Sequence, residues 1–109
     1  MQPSDYKAFG GGGKKPKRET INRRTLSYIE KKLKTSPEDL KPQDRQNIIF
    51  VLATRFEYNT NEILRIIPTS RATLYRDLER AKFMQNRSAR QKRATDEVYN
   101  YIIYIDRYM

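Results

Sequence analysis

Segment after segment, apolar residues in this chain recur at the i, i+3, i+4, i+7 spacing of one helical face. In "TINRRTLSYIEKKLK", Thr20 to Lys34, Ile21, Thr25, Tyr28, Ile29 and Leu33 fall near one face, while Arg23, Arg24, Lys31 and Lys32 stand elsewhere. This spacing predicts a first amphipathic helix. "TSPEDLKP" then supplies a stop and a restart. Ser36 suits an N-cap, Pro37 the first helical position, and Glu38 and Asp39 complement the dipole of a single turn. "PQDRQNIIFVLATRFEYN", Pro42 to Asn59, is the most apolar stretch. Ile48, Ile49, Leu52, Ala53 and Phe56 keep the helical period and Phe50 and Val51 widen the face, so this helix is expected at the centre of the core.

Asn59 and Thr60 mark its end and offer a cap for a short helix in "NEILRII". Pro68 pushes Ile67 towards extended dihedrals and stops that helix near Ile66. Ser70 caps the next, which runs from Arg71 to about Met84. In "QNRSARQKRAT" two alanines are the only apolar residues beside four cations, which predicts fraying or a break. "TDEVYNYIIYIDRYM" recovers a strong stripe in Val98, Tyr101, Ile102, Ile105 and Tyr108 or Met109. That stripe packs either on its own core or on a copy of itself, and the pattern favours neither. The fold class expected is all-α: a small domain of four or five helices. Residues 1–18 form a disordered basic arm, residues 19–86 the helical domain, and residues 87–109 a basic connector and terminal amphipathic helix.

Composition narrows the chemistry. A chain of 109 residues holds one compact domain with flexible ends. It has no cysteine and no histidine, which removes disulfides, thiolate metal sites and the commonest general base. No cofactor or metal is expected, and no enzyme. No apolar run reaches the roughly 18 residues of a membrane span, so no membrane partner is expected and the cytoplasm, or a host cytoplasm for a viral protein, is the expected location.

The net charge is +10 and it is segregated. Residues 1–34 carry ten Lys/Arg against three Asp/Glu, and residues 67–95 carry eight against two, whereas residues 35–66 carry four against five. Two basic regions flanking a near-neutral one suit a polyanion touching one face at two places. "FGGGGKKPKR" joins four glycines to Lys14, Lys15, Lys17 and Arg18. It reads as an arm lying along phosphates or entering a minor groove, favoured slightly over a flexible solubilising tail or, in part, a cloning linker.

The segment with most chemical content runs from Thr60 to Leu78. If Ile63, Ile66 or Ile67, Leu74 and Leu78 are buried, then Ser70, Arg71, Ala72, Thr73, Tyr75 and Arg76 turn outward at the start of the second helix. Arg80 continues that surface one turn on, and Arg87, Arg90, Lys92 and Arg93 extend the positive charge or form a solvated connector. Glu62 to Leu78 resembles the helix-turn-helix families of site-specific recombinases, transposases and bacterial or phage regulators, in which a pattern like E-I-A-x-x-L-G-V-S-R-S-T-V-Y-R-x-L spans the motif. The resemblance covers about twenty residues. It implies sequence-specific binding of double-stranded DNA, with the second helix in the major groove. Arg71 and Arg76 are then suited to guanine O6 and N7, Thr73 or Ala72 to a thymine methyl, and Ser70 and Tyr75 to phosphates.

Two positions depart from the pattern. Leu64 replaces a small residue where the helices touch. Pro68 replaces the glycine of the turn and cannot take its positive φ, so a different turn is expected. The function expected is that of a small transcriptional regulator or accessory factor of a phage, plasmid or mobile element. A homo-oligomer is expected through residues 96–109, with a dimer favoured. The rivals are a packaging subunit of the small-terminase kind, using the terminal helix for ring assembly, and a non-specific nucleoid or nucleic-acid-binding protein. A plain helical hairpin with a solvated outer face is the bland alternative.

Overall fold

Five α-helices and a short 3-10 turn account for the regular structure of a computed structural model that describes residues 16–83 and 89–104. Of residues 81–83 and 89–91 the backbone alone is described. Helix α1 spans Arg18–Lys31, α2 Pro42–Thr54, α3 Thr60–Ile66, α4 Arg71–Phe83 and α5 Ala89–Tyr104, with the 3-10 turn at Pro37–Asp39. Among the described residues there is no strand. The fold is all-α, as the periodicity predicts.

Helices α1 and α2 both end earlier than their apolar patterns suggest, and by the same device. Lys34 takes φ 55, and Thr35 N–H reaches back to the Ile29 carbonyl at 3.2 Å. Glu57 takes φ 58, and Tyr58 N–H reaches back to the Leu52 carbonyl at 2.9 Å. Each is a left-handed residue closing a bond that spans the helix C-terminus. A side chain in that region costs roughly 1–2 kcal/mol, so neither stop carries a glycine signal. Helix α3 begins where Asn59 predicts. The Asn59 side chain accepts from Glu62 N–H at 2.9 Å, and the Glu62 carboxylate accepts from Asn59 N–H at 2.9 Å. Such reciprocal caps satisfy two amides that the helix itself leaves unpaired.

Helix α2 is the centre of the core, with Ile48, Ile49 and Leu52 fully buried and Val51 nearly so. Helix α4 lies along one side of it through Leu74, and α3 seals that side with Ile63, Ile66 and Ile67. Helix α5 packs against both α1 and α2, bringing Val98, Tyr101 and Ile102 into one core with Ile21, Tyr28 and Ile29 of α1. Tyr28 and Tyr101 meet edge-on at 5.3 Å between ring centroids, and Phe56 stacks on Tyr99 at 5.5 Å. Tyr101 also exchanges a 2.9 Å hydrogen bond with Ser27, and Arg24 donates to the carbonyls of Ile102 and Ile103 at 2.8 and 3.2 Å.

Val98, Tyr101 and Ile102 are interior residues of their own chain, so this part of the terminal stripe packs on the chain's own core. Ile105, Tyr108 and Met109 lie outside the described residues. Helix α5 also starts earlier than the stripe predicts, at Ala89 within the basic stretch. No helix among the described residues is long and apolar enough to cross a membrane.

Candidate nucleic-acid interface

The surface of interest is built by the turn between α3 and α4. Ile67 closes α3 in an extended conformation (φ −110, ψ 102), and Pro68 follows it into an open connection. Among the described residues positive φ occurs at Lys34 and Glu57, so this turn contains none. The expected departure from a glycine turn is therefore present, and Leu64 is accommodated half-buried beside it. Ser70 then starts α4. Its hydroxyl accepts from Thr73 N–H at 3.1 Å and donates to Thr73 Oγ1 at 2.9 Å, which makes it a cap before it is anything else.

Burial of Leu74 and the partial burial of Leu78 orient the rest of α4. Ser70, Arg71, Ala72, Tyr75, Arg76 and Arg80 are exposed and Thr73 half-exposed, as the periodicity predicts. Arg71 and Arg76 are about 140° apart on the helix at about 100° per residue, at opposite edges of one exposed arc. Arg71 stands on the α3 side, donating to Asn61 Oδ1 at 2.8 Å. Arg76 and Arg80 stand on the α2 side, where they line a groove of about 390 Å³ together with residues of the first turns of α2. Among the described residues none of these three arginines is in an ion pair.

What periodicity alone does not expose is the pair beneath that groove. Asp77 is buried at 3% exposure, and its carboxylate is met by Arg45 Nε of α2 at 2.8 Å. An aspartate in phase with Leu74 and Leu78 is the available signal, because only a paired carboxylate is tolerated on a buried face. The pair ties α4 to α2 and fixes the angle at which the exposed arc is presented.

The remaining expected cations divide. Lys17 is exposed immediately before α1, whereas Arg18 is the first residue of α1 and does structural work, so the ordered domain begins earlier than the expected arm boundary. Arg18 donates to the carbonyls of Phe56 and Glu57, pairs with Glu62 at 3.2 Å and lies over the Tyr58 ring at 4.3 Å. The Tyr58 hydroxyl donates to Asn22 at 2.6 Å, and burial raises its pKa against the lowering pull of Arg18. Lys14, Lys15 and Arg87 lie outside the described residues, as does the side chain of Arg90. Arg18 binds Glu62 while Arg71 binds its neighbour Asn61, so the base of the N-terminal segment and the start of α4 both meet the first turn of α3.

No protein-family model, curated protein or solved structure matches the chain. What the site can do must be argued from its own geometry. That geometry is a convex, cation-edged helix with an uncharged N-terminal ridge of Ala72 and Tyr75, on a support of three packed helices.

Proposed function

We propose that the protein binds double-stranded DNA through α4, in the manner of a helix-turn-helix, with α3 crossing the backbone beside it. The observation that carries this reading is the set Arg71, Ala72, Tyr75, Arg76 and Arg80 exposed on α4, whose three arginines are in no ion pair among the described residues although carboxylates are plentiful elsewhere on the surface. An α-helix with its side chains is about 10–12 Å across and fits a major groove about 12 Å wide. The helix N-terminus, pointing at the duplex, favours phosphate as well. Lys17, exposed one residue before the Arg18–Glu62 pair, adds positive charge near the first turn of α3.

The biological setting we propose is a small regulator or accessory DNA-binding factor of a phage, plasmid or other mobile element, acting in the cytoplasm of the cell that carries it. The packing of Val98, Tyr101 and Ile102 inside the monomer argues for DNA recognition by each chain as a folded unit. Those three residues of the 96–109 segment expected to make a dimer are already engaged within the chain. Selection of bound sequences from a random duplex pool at physiological salt tests the proposal. A recurrent motif is the expected result; uniform retention of all sequences would make the protein a non-specific binder, and no retention would exclude DNA. Mass in solution distinguishes a folded monomer from a dimer or a many-membered ring.

A further inference from the structure

The groove between α2 and α4 has two walls of different composition. Pro42, Arg45 and Gln46 come from the first turns of α2; Thr69, Thr73, Arg76, Asp77 and Arg80 come from α4 and the turn before it. Asp77, the carboxylate among them, is held by Arg45 at 2.8 Å. The negative charge of the groove is therefore matched within its own floor, and the field at its mouth comes from Arg76 and Arg80. The Thr73 hydroxyl is engaged by Ser70, with Arg76 at 3.5 Å, whereas Gln46 and Thr69 stand ready as neutral hydrogen-bonding groups. Apart from Pro42 the lining is polar, which suits an oxyanion and gives an aromatic ring or acyl chain nothing to pack on.

The exposed arc between the two edges of α4 has another character. Ala72 and Tyr75 follow helical spacing along it, and Tyr75, 53% exposed, is the most exposed large hydrophobic side chain among the described residues. Glu79 continues that ridge one turn beyond Tyr75 and is exposed. A carboxylate there repels phosphates, so the N-terminal half of α4 is the half suited to close approach.

We infer that the α2–α4 groove holds a backbone phosphate of the duplex, gripped by Arg80 and Arg76 with hydrogen bonds from Gln46 and Thr69, while Ala72 and Tyr75 face base edges. The inference rests on the DNA-binding reading and divides its surface into a part that holds and a part that reads. Arg76 stands at the boundary and serves both. Arg80 and Gln46 hold.

The test uses the full chain and two duplexes, one enriched from a random pool and one of unrelated sequence, across a range of salt concentrations. Arg80→Gln is expected to weaken both about equally, by about tenfold at low salt, and to lower the salt slope by about 1, the signature of one lost phosphate contact. Gln46→Glu places a carboxylate in the groove without touching the core and is expected to weaken both duplexes more strongly still. Tyr75→Ala is expected to reduce the ratio between the two duplexes and leave the salt slope unchanged. Unaltered affinity in both groove variants, beside a parent that binds, would overturn the groove while leaving DNA binding intact. Loss confined to the enriched duplex in Arg80→Gln would overturn it too, by making Arg80 a reader. Failure of the parent to bind either duplex would overturn the groove and the DNA-binding reading together.

Discussion

Helices α1 and α4 each carry three arginines, and two of those on α1, Arg18 and Arg24, are used in the opposite way to those on α4. On α1, Arg18 donates to the carbonyls of Phe56 and Glu57, pairs with Glu62 and covers the Tyr58 ring, and Arg24 closes the carbonyls of Ile102 and Ile103. These cations fasten α1 to the α2–α3 connection and to α5. On α4, Arg71 and Arg76 touch only the neutral groups of Asn61 and Thr73, and Arg80 is exposed beside the groove. Charge that satisfies a carbonyl or a carboxylate inside the fold has been assigned a partner. Charge left in a row on one arc, outside ion pairs, is available to a partner from outside. Net charge does not distinguish the two.

The contrast can be broken most forcefully from beneath α4. Asp77→Ala leaves Arg45 half-buried without its carboxylate and removes one tie between α4 and α2. It is expected to lower unfolding free energy by about 1–3 kcal/mol in urea titration. It should also weaken DNA binding, because the exposed arc loses its fixed angle. Arg18→Ala is expected to lower stability by about 1–2 kcal/mol through loss of its hydrogen bonds and its contact with Tyr58, with little change in preference among duplexes. Equal stability of parent and Arg18→Ala would mean that the cations of α1 are no more engaged than those of α4. A smaller effect sharpens the same point in a different charge. Burial, aided by Glu97 and Asp44, pushes the Tyr28 phenol from 10 up to about 12. The folded chain thus keeps a proton that the unfolded chain releases, so this contribution is intact below pH 10 and is lost as pH rises towards 12. Tyr28→Phe is expected to flatten the fall in urea midpoint between those pH values.

The fold was legible where local chemistry and pattern agree. Pro42, Asn59, Pro68 and Ser70 each mark a boundary by a mechanism that acts within a few residues, and those boundaries are where they are expected. The C-termini of α1 and α2 were not legible, because Lys34 and Glu57 adopt left-handed dihedrals that their side chains do not favour. The stripe on α5 was legible as a buried surface, but periodicity carries no information about which surface covers it. The outward side chains of α4 followed from burying Ile63, Leu74 and their neighbours. The role of Arg18 did not, since its partners lie some forty positions along the chain in the α2–α3 connection and α3. Nor did the Arg45–Asp77 pair, where two ordinary surface residue types meet under a groove.

The most direct test is the double variant Arg71→Ala/Arg76→Ala, measured for binding to an enriched duplex and an unrelated one alongside its urea stability. Stability within about 0.5 kcal/mol of the parent, with loss of the preference between duplexes, is the predicted result. A variant that retains both its stability and its preference would contradict the claim that the exposed arc of α4 meets DNA.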